Sequence, residues 1–249
     1  SNFTDIAPLE AVDELDVSYV SNISQFGDPD VVIIPGSKNT ISDLLWMRQN
    51  GLEGKILRHA AKGGIVFGIC GGYQMLGQSI SDPTGAEQKG TVRGMGLLPV
   101  TTVFEQEKRR TRVSGRFAKV GGALAEMSGV CYEGYEIHMG RTVLSKGTVP
   151  LVYMEEEGEQ RQDGAQSDHV YGCYMHGIFD MSETVKTFLA AVLRKKGIDP
   201  SKITVRDRNA YKEEQYDRLA SIVRENLNME AVYKIIEKGN EASCSLLSE

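Results

Sequence analysis

A chain of 249 residues with 41% hydrophobic and 25% charged residues carries enough apolar material for one sizeable α/β domain with an appendage. Its net charge of −6 gives no basic footprint for nucleic acid. Cys70, Cys131, Cys173 and Cys244 form no C-x-x-C pair and suggest neither a zinc site nor a disulfide framework. With no signal peptide and no membrane-length apolar run, the expected setting is the cytoplasm.

Along the chain, Val17-Ser18-Tyr19-Val20 predicts a short strand, and Asp30-Val31-Val32-Ile33-Ile34 a buried one ended by Pro35-Gly36-Ser37. Residues 42–61 predict helix, broken at Asn50-Gly51. A strand over 65–69, a turn at Cys70 and a helix over 73–77 follow. After Pro83-Thr84-Gly85, strand-like patterning occupies 91–104, 111–117, 134–144, 150–155 and 169–179, with turns at Glu156-Glu157-Gly158 and Gln162-Asp163-Gly164. Ser182 reads as the cap of an amphipathic helix to about Lys196, stopped by Gly197. A charged helical segment over roughly 211–238 and a Ser-rich tail complete the chain. The alternation predicts an α/β fold with a mixed, mostly parallel central sheet and helices on both faces, more antiparallel in its second half.

The G-x-C-x-G spacing of Gly68, Cys70 and Gly72 between strand and helix is the cysteine form of a nucleophile elbow. A side chain on such a strained turn needs small neighbours. The helix start favours thiolate over thiol. The plain alternative is a buried structural cysteine in a glycine-rich loop.

A cysteine nucleophile needs a base distant in sequence. His59 lies on a predicted helix as a surface or packing residue, and His169 at a polar turn is expected to be solvated. His138, inside the strand 134–140, has three readings: core, substrate contact or base. His176 closes the strand 171–175 before Gly177, where strand ends of an open α/β sheet gather ligands, and it is the favoured base. Candidate oxyanion-hole donors are the N–H of Gly71 and a backbone N–H near Gly36, although Pro35-Gly36-Ser37 also makes an ordinary turn. Lys108-Arg109-Arg110-Thr111-Arg112 is the one basic cluster. It reads as a solvated face ahead of an anionic-substrate contact.

The segments Ile33-Ile34-Pro35-Gly36-Ser37, Gly68–Gly77 and Tyr174-Met175-His176-Gly177 resemble a class I, triad-type glutamine amidotransferase of flavodoxin-like fold. Further matches narrow the likeness to the glutaminase domains of corrinoid-amidating enzymes of cobalamin biosynthesis. They are Ser1-Asn2-Phe3-Thr4-Asp5, Lys38-Asn39-Thr40, Gly134–Gly140, Tyr171–Phe179 and Glu213–Ala220, and they span nearly the whole chain. The resemblance implies that Cys70 attacks the side-chain amide of L-glutamine and His176 moves the proton. Gly36 and Gly71 would serve the oxyanion, and Gln74 would help hold the substrate. The family's glutamate two residues after the histidine is absent, since Ile178 stands there. Glu136 and Asp180 are named substitutes, and the expected arrangement is a Cys–His dyad or a triad completed from elsewhere.

No G-x-x-x-x-G-K-[ST] loop occurs, so the amidoligase half of such an enzyme, with its ATP and Mg, is expected elsewhere. The chain is then one glutaminase domain over 1–249, with a core of about 17–197 and a helical extension over 198–249. It needs no cofactor or metal of its own and contacts neither nucleic acid nor membrane. The resemblance implies as partners an ATP-dependent synthetase domain, in the same polypeptide or complex, and through it a corrinoid, adenosylcobyrinic a,c-diamide. Competing expectations are a glutaminase serving another ligase (cobyrinic acid or a cell-wall precursor), an esterase-type thiol hydrolase, and a degenerate binding module.

Overall fold

The computed structural model describes residues 3–156, 159–202, 205 and 208–245. Two compact units emerge, Ser1–Val205 and Arg206–Glu249. The first opens with a 3-10 turn over Phe3–Asp5 and a short helix α1 (Ala7–Glu10). Leu9 and Val12 are already part of the core, so the core starts before residue 17.

Strand β1 (Val31–Ile34) leads to helices α2 (Thr40–Gln49) and α3 (Leu52–Ala61). The break between the helices falls at Gly51, whose φ of 77° is left-handed and open to glycine without strain. Strand β2 (Ile65–Ile69) is buried along its whole length, as continuous apolar sequence requires in a parallel sheet covered on both faces. Each of Ile65, Phe67 and Ile69 contributes about 1.5–3 kcal/mol of burial free energy. Helix α4 (Gly71–Leu76) follows at once.

Next come β3 (Ser79–Asp82), β4 (Gly90–Arg93), the 18-residue β5 (Val100–Phe117), β6 (Cys131–Leu144), β7 (Val152–Glu156), β8 (Glu159–Asp163), β9 (Ala165–Ser167) and β10 (Val170–Cys173). One sheet has the order β1-β2-β10-β9, the first three strands parallel. The other has the order β4-β3-β5-β7-β8 with β6 also on β5. It is antiparallel except for β3 against β5. The core is therefore α/β with a mostly parallel sheet, extended by an antiparallel one.

Several sequence expectations shift. Val17–Val20 is not a strand: it lies outside both sheets, with Tyr19 and Val20 exposed. The predicted strand 91–104 is two strands, 111–117 is the far half of β5, and 169–179 ends at Cys173. Helix α5 (Ser182–Lys195) begins at Ser182 itself, with Met181 as an N-cap lacking a side-chain bond, and Gly197 ends it at φ 72°. The turn at 156–158 falls partly outside the described residues. The second unit holds α6 (Arg208–Asn226) and α7 (Met229–Ser245), where one helical segment was expected. Asn228 separates them, its Oδ1 accepting the Ala231 N–H as a cap. The Ser-rich end, 246–249, lies outside the described residues.

Candidate active site

Three parallel strands end side by side. Ile34 of β1 pairs with Gly68 of β2, and Ile69 of β2 pairs with Cys173 of β10. Chain leaving these ends places Gly36, Cys70 and His176 at the carboxyl edge of the sheet, the usual ligand-binding edge of an open α/β sheet. The Cys70 N–H donates to the Cys173 carbonyl at 2.8 Å and fastens the elbow to β10. Cys70 has φ 52° and ψ −109°, a strained backbone for a side chain with a Cβ. The strain is held by close packing. A Cβ on Gly72 would sit 1.9 Å from the Ile34 carbonyl oxygen, so glycine alone fits there. The Cys70 sulfur reaches the Ile137 carbonyl of β6 at 3.6 Å.

The His176 ring is gripped on several sides. Its Nδ1 lies 2.7 Å from Oδ2 of Asp5, and the other oxygen of that carboxylate accepts the Gly177 N–H at 2.9 Å. The Tyr135 ring stacks on it at 5.1 Å and 16°. With Nδ1 taken by Asp5, the ring's Nε2 is left on the side of Cys70, both lying within 3.6 Å of where a Cβ on Gly36 would sit. A Cβ on Gly36 would lie 2.7 Å from the ring's Cε1 and 3.6 Å from the Cys70 Cβ, so the loop after β1 closes over both. Burial works against the charged imidazole, but Asp5 and then Cys70 outweigh it and raise its pKa to about 9. Asp5 is 1% exposed and His176 4%, so their pairing is shielded from water.

The third member comes from elsewhere in the chain, at Asp5, which is neither of the two acids named from the sequence. Glu136 is fully buried on β6 and is bonded by Arg161 of β8 at 2.5 Å, with His138 Nε2 at 3.7 Å. Burial opposes its charge, yet His138 and Arg161 hold its pKa down to about 2. Asp180 packs against Gly177, with its N–H donating to the Gly177 carbonyl. Asp5 lies in the quoted segment Phe3-Thr4-Asp5, but no local pattern couples it to a residue so distant in sequence.

The remaining candidates divide between the site and its supports. Gly71 opens α4, so its N–H has no intrahelical partner and remains available for an oxyanion. Gln74 is buried, and its amide already donates to Met139 O at 3.2 Å and Tyr174 Oη at 3.1 Å while accepting from Thr40. It braces α4 against β6. His138 stacks on Tyr174 at 3.6 Å, and its Nδ1 lies 3.1 Å from the Gly140 carbonyl, so it links this bracing cluster to Glu136. His59 packs edge-on against Phe26 with Nε2 near the Ile65 carbonyl, and His169 is half-buried against Gly63, not solvated. In the basic cluster, Arg110 and Arg112 are exposed; the Lys108 and Arg109 side chains lie outside the described residues.

A second carboxylate missed in the sequence is Glu87. Its oxygens accept from Thr40 Oγ1 at 3.3 Å and the Ile41 N–H at 3.2 Å, at the start of α2. A Cβ on Gly71 would lie 3.1 Å from the Thr40 hydroxyl, so the two stand close. Asp82 sets this position: its carboxylate accepts the N–H groups of Gly85, Ala86, Glu87 and Gln88 at 2.8–2.9 Å. Burial raises the Glu87 pKa, against the pull of its donors.

No helix among the described residues is long and apolar enough to cross a membrane. Solved structures share the fold. PurLQS from Thermotoga maritima matches with a TM-score of 0.58 at 19% identity, over 79% of this chain and 94% of that one. A structure described as a glutamine amidotransferase matches with a TM-score of 0.51 at 14% identity, over 79% and 92%. Among curated proteins, cobyric acid synthase from Ruminiclostridium cellulolyticum is 51% identical over 245 residues, covering 97% of this chain and 48% of the relative. Cobyric acid synthase from Lachnoclostridium phytofermentans is 42% identical, covering 96% and 48%. The chain thus spans about half the length of these relatives. A family model of the CobB/CobQ-like glutamine amidotransferase domain matches residues 1–184, three quarters of the chain and all of the edge that carries Asp5, Gly36, Cys70 and His176, and the chain belongs to that family.

Proposed function

We propose that the domain hydrolyses L-glutamine to glutamate and ammonia and that a synthetase part of the same enzyme consumes the ammonia. The observation that carries this reading is the Cys70–His176–Asp5 relay beside the backbone at Gly36 and Gly71. The thiolate attacks the side-chain carbonyl carbon, and the oxygen's negative charge is met by the N–H of Gly71 and backbone near Gly36. The tetrahedral carbon collapses as His176 gives its proton to the departing nitrogen. The C–N bond breaks, ammonia leaves and a γ-glutamyl thioester remains on Cys70. Water, deprotonated by His176, then cleaves the C–S bond and returns the thiol. Asp5 orients the imidazole and balances its charge through both half-reactions. Glu87 offers an acceptor for the substrate's α-ammonium.

The names and double length of the relatives support cobyric acid synthase as the whole enzyme. Its other half would use ATP and Mg to amidate carboxylates of adenosylcobyrinic a,c-diamide. Cell-wall precursor amidation is the competing use of the same ammonia. The test is glutamate release by the full-length protein, with and without the corrinoid and ATP. Release that disappears in Cys70→Ala, and that rises with the corrinoid present, supports the reading. Release unchanged in Cys70→Ala refutes it, as does turnover of activated esters without any of glutamine.

A further inference from the structure

Two places where the chain passes from one sheet to the other touch each other. At Asp163, which pairs with Val152, the chain leaves β8 and enters β9 of the mostly parallel sheet. At Tyr174 it leaves β10 and passes back, since His176 bridges Tyr135 of β6. β9 and β10 are antiparallel, with Gly172 opposite Ala165, and the same register carried two residues further sets Tyr174 opposite Asp163. A continued ladder would need the Asp163 carbonyl to accept the Tyr174 N–H. That carbonyl instead accepts the Leu151 N–H at 3.1 Å. The Asp163 carboxylate stands in for it: Oδ2 accepts the Tyr174 N–H at 2.9 Å.

Gly164 makes the contact possible. Its φ of 72° is left-handed, and a Cβ there would lie 2.4 Å from the Gly172 carbonyl oxygen and 2.8 Å from the Cys173 Cβ. An aspartate in a turn ordinarily bonds its own local backbone. This one reaches 11 positions along the chain, to a residue two before His176. Beyond that point there is little slack. The Tyr174 hydroxyl is held by Thr142 at 2.5 Å and Gln74 at 3.1 Å, and Met175 is fully buried. We propose that Asp163 is a positioning residue for His176, holding the segment 174–176 where the imidazole meets Asp5 and Cys70. The proposal rests on the glutaminase reading above.

A carboxylate accepts an N–H more strongly than a neutral group does, so the hold depends on pH. Around Asp163 stand Glu136 and Tyr132 of β6, Arg161 of β8, Tyr73 of α4, Cys173 and Tyr174. Burial, and then Glu136, raise the Asp163 pKa to about 6. Glu136 is held down to about 2, and burial pushes the tyrosines and the Cys173 thiol up. Among these groups Asp163 alone titrates near pH 6.

The test is steady-state glutamate release by the full-length protein at about pH 8 and about pH 5.5. Asp163→Asn removes a charge that burial disfavours and keeps one carbonyl acceptor, so the fold is retained. At pH 8 it lowers kcat about 3- to 10-fold and leaves KM within about twofold. At pH 5.5 the deficit shrinks to less than about twofold, because the wild-type carboxyl is itself mostly neutral there. Asp163→Ala, with no acceptor, lowers kcat at pH 8 about 10- to 100-fold. If it does not fold, Asp163→Asn decides alone. Leu151→Ala opens a cavity beside the same turn; it lowers Tm and leaves the pH dependence of kcat as in the wild type. A wild-type kcat for Asp163→Asn at pH 8 overturns the proposal. So does a deficit equal at both pH values, the mark of a merely structural role. A wild-type protein that releases no glutamate from glutamine fails earlier, at the glutaminase reading, and takes this proposal with it.

Discussion

Asp5 and His176, 171 positions apart in sequence, meet at 2.7 Å with both side chains buried. One carboxylate does two things there. It accepts from Nδ1, which fixes the tautomer and leaves Nε2 toward the sulfur, and it accepts the Gly177 N–H, which fixes the turn carrying the ring. Two residues after His176 stands Ile178, fully buried. The orienting charge comes instead from the start of the chain.

Asp5→Asn is expected to lower kcat for glutamate release by about 10²–10⁴-fold, the range seen when an orienting carboxylate is lost. Its alkaline limb should move to lower pH, because the first influence that raises the His176 pKa is removed. A variant that loses melting temperature yet keeps both kcat and the pH limb would assign Asp5 a structural role only. Stability should also fall by about 1–3 kcal/mol, since the Gly177 N–H keeps no anionic acceptor.

The pH dependence has a definite sign. His176 has a folded pKa of about 9, above its unfolded value near 6.5. Its contribution to stability is therefore fully present below about pH 6.5 and is lost as pH rises through about 9. Melting temperature followed from pH 6 to pH 10 should decline across that window in the wild type. The decline should be shallower in His176→Gln. Glutamate release should fall over the same upper range, because the proton destined for ammonia is gone.

Two glycines of the site should respond differently to one added methyl. In Gly36→Ala the new carbon lies 2.7 Å from the imidazole Cε1. The ring is trapped between Tyr135 and Asp5 and must tilt, so kcat should drop about 10²-fold with the fold retained. In Gly72→Ala the new carbon meets backbone at 1.9 Å, and the expected result is a protein destabilised by the upper end of about 1–3 kcal/mol or failing to fold. Circular dichroism beside the activity assay separates the two.

Glu136→Gln should behave as the opposite of Asp5→Asn. Removing that charge leaves Arg161 half-buried with its main counter-ion gone, at a cost of about 3–5 kcal/mol. The pH limb of glutamate release should stay where it is, since His176 owes its high pKa to Asp5 and Cys70. A limb that moves with Glu136 and not with Asp5 would reverse the assignment.

The elbow at Cys70 was legible because its chemistry is local: strand, small residues and turn lie within ten positions. His176 was legible as a polar residue closing a buried strand. Asp5 was not, since a lone acid on a short 3-10 turn carries no periodicity that points across the chain. Glu136 misled for a related reason. An acid at a buried strand position beside a catalytic strand looks like a partner until Arg161 of β8 is seen to claim it. β3 (Ser-Ile-Ser-Asp) and β8 (Glu-Gln-Arg-Gln-Asp) escaped notice because polar strands lack an apolar alternation. Val17–Val20 had strand-like composition but lies outside the strands of both sheets. Composition records propensity; pairing is a property of the assembled sheet.

The opening turn holds its place through Ile6, Leu9 and Val12, which sink into the core while Asp5 reaches the imidazole. Proton affinity at the sulfur's partner is thereby leveraged on aliphatic packing at the margin of the domain. Trimming a methyl from Leu9 or Val12, far from any reacting atom, will register first as an altered titration curve and only later as a fragile fold.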